Sequence, residues 1–184
     1  MFFNQYANDV QNALRSISED RVFDAVGVLR RAQFRNSSVY IIGNGGSAAT
    51  ASHLANDLLK MARVRAFALP DFAPTITAYG NDEGWEKSMY ASPLRRLLKS
   101  EDVLVCISCS GNSMNIVESI RLAKEHALPY LKTILLTGAD VNSVAVKLQP
   151  DVVIYVPFKD IRVQEDCHLV ICHAIAGALA NDQT

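Results

Sequence analysis

Five short apolar runs, separated by longer stretches with helical spacing, constrain the fold of this chain more than any other feature. The runs cover residues 39–42, 65–69, 103–107, 133–136 and 152–156. Runs that are apolar at every position, rather than at alternate positions, are typical of strands covered on both faces. The helical stretches between them supply right-handed crossovers. The sequence therefore predicts a three-layer α/β fold with a doubly wound, five-stranded parallel sheet.

Helical spacing also marks both ends of the chain. Residues from about 5 to 34 predict one or two N-terminal helices, and residues from about 162 to 180 predict a last helix. No low-complexity linker or internal repeat divides the 184 residues. We therefore expect a single domain over residues 1–184, in which residues 1–36 form a helical segment that packs on the sheet.

Charge and composition favour a small-molecule partner. The formal net charge is −1, without a block of like charge, which argues against nucleic acid. No apolar stretch reaches the roughly 18 residues of a membrane span, and the N-terminus lacks the pattern of a signal peptide. The four cysteines are too few and too clustered for a disulfide framework. We therefore expect a cytoplasmic protein with reduced cysteines and no membrane partner.

A glycine-rich turn, Gly43-Asn44-Gly45-Gly46-Ser47, follows the first apolar run and opens a helix. Backbone amides at the start of a helix lack partners within the helix and lie at the positive end of its dipole, so they favour an anion such as phosphate. The glycines permit positive φ and close approach of a ligand, and Ser47 can cap the helix or donate its hydroxyl. The alternative is a tight strand-to-helix turn without a ligand.

The same turn also fits a loose dinucleotide-binding pattern, Gly43-x-Gly45-x-x-Ala48. That pattern requires an acidic residue at the end of the next strand, to hold the ribose. The second run ends instead in Ala-Leu-Pro at residues 68–70, and no GxxxxGK[ST] loop is present. We therefore expect no nucleotide cofactor.

A second turn, after the third apolar run, concentrates hydroxyl groups. Ser108, Ser110 and Ser113 surround Gly111-Asn112 and precede a helix that begins near Met114. Because ligands of open parallel sheets bind beyond the carboxyl ends of the strands, residues in both turns are well placed to bind one. Serines in turns commonly serve only the turn, but three hydroxyls at one strand end favour a phosphate cradle.

His53 and Asp57 lie at i, i+4 spacing in the helix that follows the first turn, so both side chains rise from one helix face. They can contact one substrate, and a carboxylate at this position can serve as a general base. The alternative is a surface ion pair without a functional role.

Taken together, these motifs resemble the sugar isomerase (SIS) domain family, and within it the sedoheptulose-7-phosphate isomerase group. The motifs that carry the resemblance are the two turns, His53, Asn81-Asp82, Glu165-Asp166-x-His168 and His173. The resemblance implies a flavodoxin-like sheet and a homotetramer with active sites near subunit interfaces, to which the N-terminal segment contributes. It also implies conversion of sedoheptulose 7-phosphate into an aldose phosphate through an enediol, in bacterial heptose and surface-glycan synthesis.

The resemblance assigns roles to residues at matching positions. Asp57, where the family has its catalytic glutamate, and His173 would be the catalytic acid and base. If the chain is aligned with the family at His168, Glu165 takes a position where the family more often has glutamine. If the chain is aligned at the residues before Glu165 instead, Gln164 takes that position. The residues implied to bind the substrate or its phosphate are Asn44, Gly45, Gly46, Ser47, Asp82, Ser108, Ser110, Ser113 and Glu165.

Some members of the family hold a metal ion, usually zinc, between the first and last helices of the sheet domain. The matching residues here are His53, Asp57, Glu165 and His173, all of which have side chains that bind zinc. Zinc would either polarise the sugar carbonyl or only order the site. The remaining histidines, His168 and His126, are expected in the core and at a solvated helix end, respectively.

Two other functions stay open from the sequence. SIS domains also serve as non-catalytic sugar-phosphate sensors and as assembly proteins, including one that binds a bacterial replication initiator. The other alternative is an isomerase of a different sugar phosphate, for a capsule or other glycan. The aspartate at position 57 is compatible with each of them.

Overall fold

The computed structural model describes residues 1–125, 128–138 and 140–181. His126 lies outside the described residues, so its predicted contact with solvent stays a prediction. The strands are β1 (Ser38–Gly43), β2 (Arg65–Ala68), β3 (Val103–Ser108), β4 (Lys132–Thr137) and β5 (Val152–Tyr155). Every neighbouring pair is parallel, in the order β2-β1-β3-β4-β5. This is the flavodoxin-like order, and it confirms the predicted five-stranded parallel sheet.

Helices lead the chain, connect the strands and close the chain. Their bounds are α1 (Phe2–Arg15), α2 (Glu19–Arg35), α3 (Gly46–Lys60), α4 (Ala73–Glu83), α5 (Ala91–Leu97), α6 (Met114–Glu125), α7 (Val144–Lys147) and α8 (Ile161–Asn181). The predicted N-terminal helical segment is thus two helices, and the predicted last helix is α8. The region from Asp71 to Glu86 is mostly helical because it contains α4.

The sheet separates two apolar clusters, which explains why the central strands are apolar at every position. Val39 and Ile41 of β1 face a cluster with α2, α3 and α8, whereas Tyr40 and Ile42 face a cluster with α5 and α6. Burying a large apolar side chain contributes about 1.5–3 kcal/mol relative to leaving it exposed. Both faces of β1 therefore stabilise the same three-layer arrangement.

The edge strand β2 departs from the expectation that each run is covered on both faces. Arg65 and Phe67 are exposed, and Ala66 and Ala68 are buried. The reason is topological, because β2 pairs only with β1 and lies at the margin of the sheet. One face of β2 contacts solvent, so its exposed and buried positions alternate.

The carboxyl ends of β1 and β3, which are neighbours in the sheet, each lead into a turn and a helix. The glycine turn joins β1 to α3, and the serine turn joins β3 to α6. Within the part of the chain that the structure describes, none of the helices has the length and apolar character needed to span a membrane.

Candidate active site

The glycine turn has a backbone that only glycine adopts easily. Gly45 lies at φ +55° and ψ −124°. A Cβ atom on Gly43 would lie 2.5 Å from the carbonyl oxygen of Ser47, which is closer than van der Waals contact allows. The Gly43 carbonyl also accepts a 2.6 Å hydrogen bond from the hydroxyl of Tyr90. These contacts fix where α3 begins relative to β1.

The predicted capping role of Ser47 is wrong. The N-cap residue of α3 is Gly45, Ser47 is the second residue of the helix, and no side chain among the described residues caps α3. Ser47 is buried and lines a pocket at the carboxyl edge of the sheet. The amides of Ala48 and Ala49 donate to the carbonyls of Asn44 and Gly45, so the start of α3 leaves the amides of Gly46 and Ser47 for a ligand.

Asn44 forms a reciprocal amide pair with Asn115 of α6. Each side-chain amide donates to the other's oxygen, over 2.9 Å from Asn44 and 2.8 Å from Asn115. Since Asn44 lies in the glycine turn and Asn115 in the first turn of α6, the pair holds the starts of α3 and α6 together. No local sequence pattern indicates this long-range contact.

The serine turn uses its hydroxyl oxygens as acceptors within the turn. Ser108 Oγ accepts a hydrogen bond from the amide of Gly111, and Ser110 Oγ accepts one from the amide of Asn112. Gly111 has a φ of +63°, which closes the turn. A hydroxyl that accepts through a lone pair keeps its own hydrogen for donation, so both serines remain donors for an anion.

The two turns enclose a pocket of about 160 Å³, which we call the serine pocket. Its described lining residues are Asn44, Ser47, Ile107, Ser108, Cys109, Ser110, Ser113, Ile161 and Glu165. The N-termini of α3 and α6 meet here, and Ile161 brings the start of α8 to the same place. Three helix dipoles therefore present their positive ends to one pocket lined by hydroxyl groups, an arrangement that favours an anion.

Glu165, and not Gln164, lies in the serine pocket. Gln164 is buried, and its Nε2 donates to the carbonyl of Phe158. The Glu165 carboxylate lies against Gly46, since a Cβ on that glycine would be 2.5 Å from Oε1. Of the two matches that the sequence left open, the structure therefore brings Glu165 to the pocket.

Cys109 is a pocket residue that the sequence interpretation did not identify. Burial is the main cause that raises the pKa of its thiol, and the nearby charge of Glu165 raises it further. The Cys109 sulfur lies 3.9 Å from Nδ1 of His168. His168 is buried as predicted, its Nε2 lies 3.3 Å from the carbonyl oxygen of Thr137, and burial lowers its pKa to about 4. A carbonyl only accepts, so Nε2 carries the hydrogen and Nδ1 accepts from the thiol.

His53, Asp57 and His173 form a second group, on the facing sides of α3 and α8. The two Nε2 atoms are 3.0 Å apart, and Asp57 Oδ2 lies 3.5 Å from Nε2 of His53 and 3.7 Å from Nε2 of His173. The Asp57 carboxylate is buried, whereas about half of each imidazole is exposed. The group thus combines a shielded carboxylate with two imidazoles that a ligand can reach.

The same three atoms fit a metal ion. A circle through points 3.0, 3.5 and 3.7 Å apart has a radius of about 2.0 Å, which is close to the length of zinc–nitrogen and zinc–oxygen bonds. Two imidazoles and one carboxylate, with a further position open to solvent, are a donor set found in catalytic zinc sites. Among the described residues, His53, Asp57 and His173 form a group whose ligand atoms lie close enough together to bind one metal ion.

Two sequence-predicted site residues do not join these groups as expected. Glu165 is absent from the described metal-binding group, because its carboxylate lies against Gly46 instead. Asp82 is exposed near the end of α4, where its carboxylate accepts a hydrogen bond from Asn81, and it lines none of the described pockets near the turns. Trp85 and Met89, which no motif indicated, line a wider pocket of about 520 Å³ that also contacts Asn44.

The fold is a doubly wound α/β domain, and its site is a pocket lined by hydroxyl groups at the carboxyl edge of the sheet. The chain belongs to the SIS-domain family, since the family model described as a SIS domain matches residues 3–138. This confirms the predicted family. The single domain over residues 1–184 stays a prediction.

Several relatives of this chain share one name. The phosphoheptose isomerase of Neisseria meningitidis serogroup C is 32% identical over 176 residues, which cover 92% of this chain and 86% of the relative. The solved phosphoheptose isomerase of Neisseria gonorrhoeae is 30% identical, with a TM-score of 0.85 over 97% of this chain and 95% of that one. The phosphoheptose isomerase of Francisella tularensis has the same TM-score at 26% identity, over 100% and 95% of the two chains.

Proposed function

We propose that this protein is a sugar-phosphate isomerase that converts sedoheptulose 7-phosphate into a heptose 7-phosphate in bacterial heptose and surface-glycan synthesis. The observation that carries the proposal is the combination of a serine-lined pocket with a His-Asp-His group on α3 and α8, the two helices that lead from this pocket. The relatives named phosphoheptose isomerase, which match this chain along most of its length, support the same reaction.

The spacing of the two groups suits a long sugar phosphate. Ser47 and His53 are six residues apart on α3, so they are separated by about 9 Å along the helix axis. An extended seven-carbon ketose phosphate has a similar length between its phosphate and its carbonyl. Binding the phosphate through Ser47 and the serine turn therefore directs the carbonyl end toward His53, Asp57 and His173, which supplies the positioning that proton transfer needs.

In the proposed reaction Asp57 and His173 move the protons. Asp57 removes a proton from the terminal hydroxymethyl carbon beside the ketone, while His173 donates a proton to the ketone oxygen, which gives an enediol. A proton then returns to the former ketone carbon, and the hydroxyl of the neighbouring carbon loses its proton to become an aldehyde. The Asp57 side chain is only 12% exposed, which keeps bulk water away from the base.

We also propose that His53, Asp57 and His173 hold zinc. When bound, zinc would polarise the ketone oxygen as a Lewis acid. Asp57 Oδ2 faces the two imidazoles, whereas its Oδ1 accepts a 3.3 Å hydrogen bond from Nδ2 of the Asn56 side chain. With zinc bound, Oδ2 of Asp57 and Nε2 of His173 would be ligands, and Oδ1 of Asp57 would remain as the base. Proton donation by His173 therefore belongs to the metal-free site.

The proposed assembly is a homotetramer in the cytoplasm, with active sites near the subunit interfaces. Four phenylalanines on the first two helices support an interface there, because each is more than 60% exposed: Phe2, Phe3, Phe23 and Phe34. Apolar surface of this kind is commonly covered by a partner subunit. All four cysteines are free thiols, which is compatible with a reducing compartment.

The function is tested by following sedoheptulose 7-phosphate by NMR with protein stripped of metal and with protein supplied with zinc. We expect an aldose phosphate to form in at least one of the two samples. Glu19→Gln, at the exposed start of α2, is the control for a change of one charge away from the site. Absence of an aldose phosphate in both samples would refute the proposed substrate.

A further inference from the structure

The serine pocket has an unexpected charge for a phosphate site. Among the described residues that line it, Glu165 is the single charged side chain, and none is lysine or arginine. The positive potential comes from the helix N-termini and the hydroxyl groups alone. A carboxylate of the same sign as the ligand is therefore part of the pocket.

The Glu165 carboxylate lies beside the first residue of α3. A Cβ on Gly46 would be 2.5 Å from Oε1 and 2.7 Å from Oε2, so the carboxylate occupies the space that this glycine leaves free. Gly46 is the first residue of α3, whose first-turn amides are the expected phosphate donors. Burial is the larger cause of the raised pKa of the Cys109 thiol, and the negative charge of Glu165 is the second cause.

We propose that Glu165 is a specificity-determining residue, which weakens the binding of bare phosphate and favours phosphate esters of polyhydroxy sugars. This inference rests on the proposed sugar-phosphate function. Two negative groups in one partly buried pocket repel each other more strongly than in water. A sugar hydroxyl that donates to the carboxylate offsets this repulsion through a charge-assisted hydrogen bond, which the sugar-free anion lacks.

The test is a calorimetric titration with inorganic phosphate of the wild-type protein, Glu165→Gln and the control Glu19→Gln. The amide has the size of the carboxylate without its charge, so Glu165→Gln should bind inorganic phosphate about tenfold more tightly, which is about 1.4 kcal/mol. The control should bind like the wild type. The Michaelis constant for sedoheptulose 7-phosphate should improve much less than the affinity for inorganic phosphate, because the substrate loses its hydrogen bond to the carboxylate.

A titration of Ser110→Ala separates failure of this inference from failure of the pocket itself. If Ser110→Ala weakens phosphate binding but Glu165→Gln leaves it unchanged or weaker, the pocket stands and the role of Glu165 is refuted. If wild type and Glu165→Gln both fail to bind phosphate, the pocket is not a phosphate site, and both proposals are wrong. If Glu165→Gln binds phosphate and substrate more tightly by the same factor, the inference is also overturned, because Glu165 would then not discriminate between them.

Discussion

Replacing Gly111 by alanine is expected to destabilise the protein and to open the serine turn. Gly111 has a φ of +63°, and a Cβ there would lie 2.4 Å from Oγ and 2.7 Å from Cβ of Ser143. Ser143 is only 1% exposed, so it has little room to move. The amide of Ala145 also donates to the Gly111 carbonyl, which ties the turn to α7. The substitution therefore combines backbone strain with a buried overlap.

The expected magnitude follows from these two effects. The left-handed backbone costs alanine about 1–2 kcal/mol, and overpacking a buried site costs about 1–3 kcal/mol. A loss of unfolded-state entropy offsets about 0.4–1 kcal/mol of this. The free energy of unfolding should thus fall by about 1–4.5 kcal/mol, and in a chain of this length the melting temperature by about 2–18 °C.

Two further glycines separate the contributions of strain and overlap. An added Cβ meets nothing within 4 Å at Gly45, which has a φ of +55°, or at Gly27 inside α2. Gly45→Ala should therefore show strain alone, about 1–3 kcal/mol. Gly27→Ala should stabilise the helix by about 0.5–1 kcal/mol. Melting curves at one protein concentration rank the stabilities of the three variants. A Gly111→Ala protein as stable as Gly27→Ala would refute the reasoning.

Three other substitutions test the site and the core. Ser110→Ala should weaken phosphate binding about 10- to 100-fold, because an exposed donor to a charged ligand is lost, and should lower the melting temperature only slightly, because the hydrogen bond that Ser110 Oγ accepts from the Asn112 amide is exposed; unchanged binding by calorimetry would contradict this. Asp57→Asn should lower kcat at least about 100-fold in the NMR assay while phosphate affinity is kept; an unchanged kcat would exclude Asp57 as the base. The contribution of neutral His168 to the free energy of unfolding should be fully present above pH about 6.5. About 3 kcal/mol of it should be lost as pH falls toward 4, because the folded pKa of about 4 lies below the unfolded value. Urea unfolding of His168→Gln should lack this dependence, and a wild-type stability that is flat over this range would refute it.

The sheet was predictable because its signals are local. β1, β3 and β4 are buried on both faces, so their apolar runs mark strands whose bounds differ by only about one residue from those predicted. The edge strand β2 carries a mixed pattern, because one of its faces contacts solvent. The N-cap of α3 was assigned wrongly, because Gly45 takes the capping position and leaves Ser47 inside the helix.

The site was predictable only in part, because much of it depends on contacts between distant segments. His53 and His173 meet across 120 residues, and only the family resemblance brought them together in advance. No local pattern indicates the Asn44–Asn115 pair or the hydrogen bond from Tyr90 to Gly43. Asp82, by contrast, matches a motif but lies outside both pockets near the turns.

The most direct test of the account is the reaction of sedoheptulose 7-phosphate in deuterated water, followed by NMR and mass spectrometry. Proton transfer through an enediol predicts deuterium on the carbon next to the new aldehyde, with product formation lost in Asp57→Asn. An aldose phosphate formed without deuterium, and at an unchanged rate in Asp57→Asn, would point to hydride transfer. That result, or a protein that binds the sugar phosphate without converting it, would contradict the proposed isomerase.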